Sequence, residues 1–237
     1  MSQSPLLFIH GWASNAQVWQ NAYRNQFTYY YDTPQFPDFI HLEETIKTLS
    51  ERMAQPLTLV GWSLGGMLAM QIAASNPERI AKLILVSSTP CFITNETYAA
   101  GLASTIVKRL TKKLAQDKWQ TQLDFYKLMF SATEQNYAVQ YHRHMAPLLA
   151  NLPYHTLASG LDYLLRTDLR TSLGQISVPC DIIHGTADMI CPVAAGQYLA
   201  KHLPKAKLHL LDGAGHIPFY TRARDFEFLM KESVRRD

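Results

Sequence analysis

Cysteine is scarce in this sequence, which has only Cys91, Cys180 and Cys191 among 237 residues. An odd and low number of cysteines in a chain of this length does not predict a disulfide framework. No two of them form a Cys-x-x-Cys pair, so the sequence does not predict a zinc site either. We therefore expect a hydrophobic core to stabilise the protein, and the chain is long enough to bury one.

Charged residues are also few, at 17% of the sequence, and their formal sum is only +3 at pH 7. This charge is too small for a dedicated nucleic-acid-binding protein, so we expect no nucleic-acid partner. Hydrophobic residues make up 47% of the sequence, which excludes an intrinsically disordered chain. The length allows one large domain or one domain with an insertion.

No segment has the length and the uninterrupted apolar character of a transmembrane helix. Residues 55–77 carry no charge, but their pattern changes from strand to turn to helix, and each part is too short to span a bilayer. Residues 1–5 lack the basic and apolar regions of a signal peptide. We therefore expect a cytoplasmic protein with no membrane partner.

Short apolar runs alternate with helical patterns along the chain. The runs lie at 6–9, 57–60, 83–86, 180–183 and 207–211. The first four are almost entirely apolar, which is typical of strands buried on both faces of a parallel sheet, whereas the last alternates like an edge strand. Helical periodicity predicts helices at 42–53, 66–74, 193–203 and 225–234. This alternation predicts an α/β fold, in which helices flank a mostly parallel sheet.

Residues 90–174 interrupt the alternation, because they show helical patterns, including 118–130 and 135–149, and no convincing strand. We predict that 90–174 form a helical lid inserted between two strands of a core made of 1–89 and 175–237. The insertion holds nine Lys or Arg residues and six Asp or Glu residues, while the rest of the chain holds thirteen of each. The net positive charge therefore belongs to the predicted lid.

The sequence GWSLGG at 61–66 lies between a predicted strand and a predicted helix. It is a G-x-S-x-G motif in the strand–turn–helix context of a nucleophile elbow. The sharp turn forces an unfavourable backbone conformation on Ser63, and the flanking Gly61 and Gly65 relieve the crowding. The following helix directs its N-terminus toward the serine and favours developing negative charge there. We predict that Ser63 is a catalytic nucleophile; the alternative is a structural Gly-rich turn.

A serine nucleophile needs a base, and the base needs an acid to orient it. Of nine histidines, His216 is the best candidate, since it follows the last predicted strand in a glycine-containing loop. Asp188 follows the predicted strand at 180–183 and is the candidate acid. The chain order Ser63, Asp188, His216 is that of the α/β-hydrolases. The other histidines are better explained as structural or solvated residues, and His10 as part of the loop after the first strand.

A serine nucleophile that attacks a carbonyl group also requires N–H donors that stabilise the resulting oxyanion. We predict that these are the N–H of Leu64, directly after the nucleophile, and the N–H of Trp12, in the loop after the first strand. Trp12, Trp62 and Leu64 are expected to border the substrate. Phe125 and Tyr126 of the predicted lid are candidates to line an acyl-binding pocket, with core packing as the alternative.

These residues together resemble the α/β-hydrolase superfamily over nearly the whole chain. Within it, the sequence is similar to the family of pimeloyl-[acyl-carrier protein] methyl ester esterases of biotin synthesis. The resemblance rests on HGW at 10–12 with NAQVW at 15–19, GWSLGG at 61–66, SSTPCF at 87–92 and DLR at 168–170. It implies a helical lid, and it implies hydrolysis of the methyl ester of pimeloyl-acyl carrier protein to pimeloyl-acyl carrier protein and methanol.

The expected reaction is a two-step acyl transfer. His216, oriented by Asp188, removes the proton of Ser63 as the serine attacks the ester carbonyl; methanol leaves, and water then releases the acid. We expect the reaction to need no metal and no organic cofactor. The chain is expected to act as a monomer.

The partner that the resemblance implies is an acyl carrier protein, which is acidic and fits a positively charged lid by electrostatic steering. The candidate docking residues are Lys108, Arg109, Lys112, Lys113 and Arg143. A solvated helix face is the alternative explanation of the cluster between Lys108 and Lys113.

The predicted triad does not distinguish among reactions on this scaffold, because substrate choice depends on the pocket. A general short-chain carboxylesterase, a thioesterase and a carbon–carbon hydrolase or lyase remain alternatives. A catalytically inactive binding protein on the hydrolase fold is an alternative from another class.

Overall fold

A single parallel sheet of six strands forms the centre of the protein, in a computed structural model that describes residues 4–20 and 22–234. The strands are β1 (Leu6–Ile9), β2 (Thr28–Tyr31), β3 (Leu57–Trp62), β4 (Ile80–Val86), β5 (Cys180–Gly185) and β6 (Ala206–Leu211). Their order across the sheet is β2-β1-β3-β4-β5-β6, and every neighbouring pair is parallel. The prediction of an α/β fold with a mostly parallel sheet is confirmed.

Helices connect the strands and cover the sheet. The α-helices are α1 (Phe39–Met53), α2 (Leu64–Ser75), α3 (Ser104–Gln116), α4 (Lys118–Leu128), α5 (Gln135–His144), α6 (Tyr154–Arg166), α7 (Val193–His202), α8 (Pro218–Thr221) and α9 (Ala223–Val234). Short 3₁₀ helices lie at Ala16–Trp19, Pro77–Arg79, Ala132–Glu134, Ala146–Leu149 and Arg170–Gln175.

The burial of each strand follows from its composition. All residues of β1, β3 and β5 are buried, as expected of apolar strands covered on both faces. The predicted edge strand, β6, is half-exposed and lies at one edge of the sheet. The opposite edge is β2, which the sequence analysis did not identify; it is only four residues long, and only Tyr31 in it is buried.

Four α-helices, α3 to α6, lie between β4 and β5, where one crossover helix would connect two neighbouring parallel strands. Helix α3 packs against α4 and α6. The helices that were predicted at 118–130 and 135–149 correspond to α4 and α5, which end at Leu128 and His144. We retain the name lid for residues 90–174 as a prediction.

Parallel strands bring their carboxyl ends to one edge of the sheet, and loops at that edge carry the predicted site. Ser63 follows β3, Asp188 follows β5, and His216 follows β6. The loop that contains Trp12 follows β1. The topology therefore brings together residues that are far apart in the sequence.

None of the helices within the described parts of the chain is long and apolar enough to cross a membrane. The three cysteines are buried, and none of them forms a disulfide.

Candidate active site

Ser63 lies between β3 and α2 in a strained backbone conformation, with φ 54° and ψ −121°. Its N–H donates to the carbonyl oxygen of Val86 at 2.9 Å. Its carbonyl oxygen accepts hydrogen bonds from the N–H of Gly66 at 2.9 Å and the hydroxyl of Ser88 at 2.8 Å. These bonds hold a conformation that costs about 1–3 kcal/mol, and such strain is concentrated at functional sites.

The glycines of the motif allow α2 to start directly against the sheet. A Cβ atom on Gly61 would lie 2.6 Å from the carbonyl oxygen of Gly65, and one on Gly65 would collide with the carbonyl oxygen of Ile9. Both positions therefore require glycine because the backbone segments are in close contact. This packing places Ser63 at the N-terminal end of α2.

Asp188 and His216 form a buried pair, since Nδ1 of His216 lies 2.8 Å from Oδ2 of Asp188. The other oxygen of Asp188 accepts the N–H groups of Ile190 and Cys191, each at 2.9 Å. An aspartate bound in this way holds the histidine with Nδ1 protonated and leaves Nε2 as the basic atom.

The Nε2 atom of His216 is buried, and within the described residues it has no hydrogen-bond partner. It is therefore available to receive a proton. In ligand-free enzymes the bond between base and nucleophile is often long and tightens when substrate binds.

A second histidine, His184 in β5, lies against the same aspartate and was not singled out from the sequence. Its Nε2 donates to the carbonyl oxygen of Cys191 at 2.7 Å and lies 3.6 Å from Oδ2 of Asp188. Burial lowers the pKa of His184 and outweighs the opposite effect of Asp188. The imidazole is therefore neutral, and it supports the loop whose N–H groups bind Asp188.

The two predicted oxyanion donors belong to segments that adjoin Ser63. Leu64 is the first residue of α2, so its N–H lies outside the hydrogen-bond ladder of the helix. Trp12 follows Gly11, on which a Cβ would lie 3.2 Å from Cβ of Ser63. The loop after β1 therefore passes directly beside the serine.

An apolar cavity of about 300 Å³ extends from Ser63 to the surface. Its lining residues are Trp12, Ser63, Phe92, Leu102, Ile106, Val107, Arg109, Leu110, Lys113, Thr121, Asp124, Phe125, Leu128, Leu161, Leu164, Met189 and Ile190. Ser63 and Trp12 are buried and form its inner end, whereas Ile106, Leu128 and Met189 are 52%, 58% and 69% exposed. We call these three residues, with Arg109 and Lys113, the rim.

Of the five residues predicted to contact substrate, two line this cavity, Trp12 and Phe125. Trp12 also donates from Nε1 to the carbonyl oxygen of Leu157 in α6 at 2.8 Å, and its ring packs edge-on against Phe125, with centroids 4.7 Å apart. This packing attaches the loop after β1 to helices α4 and α6.

The other three, Trp62, Leu64 and Tyr126, are described residues that are not among those lining the cavity. Trp62 donates from Nε1 to the carbonyl oxygen of His216 at 2.8 Å, so it supports the histidine. The hydroxyl of Tyr126 donates to the carbonyl oxygen of Ala13 at 2.8 Å. Sequence spacing contained no signal for these long-range bonds.

The five predicted docking residues are all exposed, but they are divided among different surfaces. Arg109 and Lys113 of α3 belong to the rim, and Lys113 lies 4.0 Å from Asp124 of α4. Lys108 and Lys112 lie on the same helix outside the cavity lining, and Arg143 lies on α5.

Across residues 4–20 and 22–234, no group of three or more histidine, cysteine, aspartate or glutamate side chains is arranged to hold a metal ion.

The sequence and the fold both match known proteins. A family model described as the alpha/beta hydrolase fold matches residues 4–223. The chain is 32% identical to the pimeloyl-[acyl-carrier protein] methyl ester esterase of Nitrosomonas europaea, over 93% of this chain and 92% of that protein. It is 31% identical to the esterase of the same name from Aromatoleum aromaticum, over 99% of this chain and 100% of that protein.

Solved structures share the fold at lower sequence identity. An esterase from Exiguobacterium antarcticum has a TM-score of 0.85 at 21% identity, with 99% of this chain and 92% of that chain covered. A bromoperoxidase from Bacillus anthracis has a TM-score of 0.87 at 21% identity, with the same coverage of 99% and 92%. The chain belongs to the α/β-hydrolase superfamily and, within it, to the family of the pimeloyl-[acyl-carrier protein] methyl ester esterases.

Proposed function

We propose that this protein is a serine carboxylesterase that hydrolyses the methyl ester of pimeloyl-acyl carrier protein in biotin biosynthesis. The observation that carries the proposal is the Asp188–His216 pair, whose side chains lie 2.8 Å apart, together with Ser63 at the inner end of an apolar cavity, in a chain that shares 32% identity with an esterase of that name. The proposed products are pimeloyl-acyl carrier protein and methanol. A substrate attached to this carrier implies a cytoplasmic reaction, and we propose that a monomer catalyses it.

The proposed mechanism assigns one role to each residue. Nε2 of His216 takes the proton of Ser63 while the serine oxygen attacks the ester carbonyl. The N–H groups of Trp12 and Leu64 stabilise the oxyanion, each by about 3 kcal/mol. Asp188 stabilises the transient imidazolium of His216, which then gives its proton to the departing methoxide oxygen, so that the leaving group departs as methanol. Water, deprotonated by His216, attacks the acyl-enzyme and releases the free acid.

The cavity supports this choice of substrate. Its volume, about 300 Å³, lies at the lower end of the range of small-molecule sites, so it suits one extended acyl chain. Its interior is formed by apolar side chains such as Leu110, Leu161 and Leu164, which match the methylene groups of a pimeloyl chain. The methyl ester reaches Ser63 at the inner end, while the carrier stays outside the rim.

The rim supports an acidic partner of this kind. Arg109 and Lys113 are exposed cations beside exposed apolar residues at the opening of the cavity. We propose that they contact the carrier or the phosphate of its prosthetic arm, since cationic groups at a rim mainly change the association rate and partner choice. Lys108, Lys112 and Arg143 contribute to the positive field without contact at the opening.

Two double variants of α3 test this assignment with a matched control. Arg109→Glu/Lys113→Glu should raise KM for the carrier-bound ester by about tenfold and leave KM for a free ester unchanged, because only the carrier is charged. Lys108→Glu/Lys112→Glu changes the net charge of the helix equally and should have a smaller effect. Equal effects of the two double variants would contradict a contact at the rim.

The decisive measurement is kcat/KM for methyl pimeloyl-acyl carrier protein beside dimethyl pimelate and p-nitrophenyl acetate. A clear preference for the carrier-bound ester supports the proposed function. A preference for the free esters identifies a general short-chain carboxylesterase. No turnover of any ester identifies an inactive hydrolase-fold binding protein.

A further inference from the structure

The loop that carries His216 is held from the side of the lid. We define residues 213–216 as the histidine loop and residues 129–134, between α4 and α5, as the clamp. The carbonyl oxygen of Met129 accepts the N–H of His216 at 2.8 Å. The hydroxyl of Ser131 donates to the carbonyl oxygen of Gly213 at 2.7 Å. The clamp therefore binds the main chain of the proposed base itself.

Glu134 forms the third contact between the clamp and the histidine loop. Its side chain is completely buried, at 0% exposure. Oε2 accepts the N–H of Gly215 at 2.9 Å and the N–H of Ser131 at 3.0 Å. Gly215 approaches so closely that a Cβ on it would lie 2.8 Å from Oε2. One carboxylate oxygen thus joins its own segment to a residue 81 positions away, directly before His216.

The negative charge of Glu134 lies close to the guanidinium group of Arg222. Oε1 lies 3.3 Å from Nη1 of Arg222, whose side chain is 27% exposed. A buried carboxylate is costly unless it is paired and hydrogen-bonded. The bond to Ser131 completes a capping box, but glutamates in capping boxes do not need burial. The capping box therefore accounts for neither the burial of Glu134 nor its bond to Gly215.

We propose that Glu134 is a positioning residue for His216, an inference that rests on the proposed hydrolysis by Ser63. Nε2 of His216 must lie within hydrogen-bond reach of Ser63, and the bond from Nδ1 to Asp188 restrains only the ring. The clamp restrains the main chain from the lid side, and Trp62 restrains it from the core side through the carbonyl oxygen of His216. Catalysis by the core therefore depends on a segment of the lid that does not line the cavity.

The effect of removing this contact is expected in kcat and not in KM. A displacement of a catalytic group by about 1 Å can cost about 10²-fold in rate. Glu134→Ala should lower kcat for p-nitrophenyl acetate by about 10²-fold and change KM by less than about twofold, because the substrate does not touch the clamp. Glu134→Gln keeps an acceptor oxygen for the N–H of Gly215 and should restore most of the activity.

Two further variants separate positioning from stability. Ser131→Ala removes the bond to Gly213, together with the contacts of the Ser131 hydroxyl to Thr133 and to the main chain of Glu134, and should lower kcat in the same direction by a smaller factor. His209→Ala removes a hydrogen bond from another buried carboxylate, Asp181, at the amino end of β5. It should lower Tm, as Glu134→Ala does, without lowering kcat per folded molecule.

The readouts are kcat, KM, Tm and the rate at which an organophosphonate labels Ser63, all measured with the free ester so that carrier docking plays no part. The inference is overturned if Glu134→Ala lowers Tm while kcat and the labelling rate stay at the wild-type level. A rise in KM alone, or a Glu134→Gln variant as slow as Glu134→Ala, also overturns it. Failure of the wild-type protein to hydrolyse any ester would instead refute the proposed function.

Discussion

Two aspartate–histidine pairs lie near opposite ends of β5, one with a half-buried histidine and one completely buried. At the amino end, Oδ1 of Asp181 lies 2.8 Å from Nε2 of His209 in β6. Beyond the carboxyl end, Oδ2 of Asp188 lies 2.8 Å from Nδ1 of His216. The two distances are equal, so the distance alone does not distinguish a structural pair from a catalytic one.

The surroundings of Asp181 neutralise its charge. Nζ of the buried Lys82 lies 3.3 Å from Oδ2 of Asp181. Burial raises the pKa of the Asp181 carboxyl, but the hydrogen bonds from His209 and Ser233 and the charge of Lys82 outweigh it and lower the pKa to about 2. The carboxylate is therefore fully ionised and paired, as in a structural cluster that joins β4, β5 and β6.

The surroundings of Asp188 leave its negative charge available to stabilise a cation on His216. Its carboxylate accepts two main-chain N–H groups, and the second histidine beside it, His184, is kept neutral by burial. In the proposed mechanism, this carboxylate stabilises the imidazolium that forms on His216. The orientation of the ring differs as well, because His209 uses Nε2 to bind its aspartate whereas His216 uses Nδ1. Only His216 keeps Nε2 available for Ser63.

The largest expected difference between the two pairs concerns the histidines. His216→Ala should lower kcat/KM for p-nitrophenyl acetate by about 10⁴-fold or more, because it removes the base. His209→Ala should leave kcat/KM nearly unchanged and lower Tm. Similar losses of activity in the two variants would eliminate the functional distinction between the pairs.

Substitutions of the two aspartates should affect different properties, catalytic activity for Asp188 and stability for Asp181. Asp188→Asn should lower kcat by about 10⁴-fold, because an amide favours the wrong tautomer of His216. Asp181→Asn should preserve kcat per folded molecule but lower the free energy of unfolding, since it removes the ionised carboxylate that lies 3.3 Å from Nζ of the buried Lys82. Urea unfolding and active-site titration of both variants measure the two quantities. A normal rate in Asp188→Asn would refute the role of the acid.

The smallest effect concerns the pH dependence of stability. The pKa of Asp181 is about 2 in the folded protein and about 3.9 in an unfolded chain. Its ionised form therefore contributes about 2 kcal/mol of stability above about pH 4, which is lost as the pH falls through the folded pKa. About 1 kcal/mol of this should be lost by about pH 3 in the wild-type protein and not in Asp181→Asn. Asp162 is exposed, so Asp162→Asn is the control. Its free energy of unfolding, measured with urea, should change with pH between about pH 5 and about pH 3 as that of the wild-type protein does.

Much of the architecture was predictable because it depends on local patterns. The apolar runs identified five of the six strands, and the strand–turn–helix context of GWSLGG identified the turn at Ser63. Asp188 and His216 were selected because each follows a strand, and the fold brings their side chains to 2.8 Å. Strand β2 was missed because a four-residue edge strand has no pattern of its own.

The supports of the site were not predictable in the same way. Trp62 was expected beside substrate, but its indole binds the main chain of His216; Tyr126 was expected in the pocket, but its hydroxyl binds Ala13. In the clamp, the capping box between Ser131 and Glu134 is a local contact, yet nothing in the sequence of this segment indicates Gly215. These contacts join residues that are 81 to 154 positions apart.

The sequence by itself determined five of the six strands, the turn at Ser63 and the residues that follow the strands, because hydrophobic periodicity and glycine placement act over a few neighbouring residues. Only the tertiary structure decided which of two aspartate–histidine pairs, equal in distance, has a lysine beside its carboxylate and which has a histidine with an available Nε2. It also decided that a buried carboxylate of the lid holds the loop of His216. Charge compensation and hydrogen-bond partners depend on groups brought together from distant parts of the chain, and no local pattern encodes them.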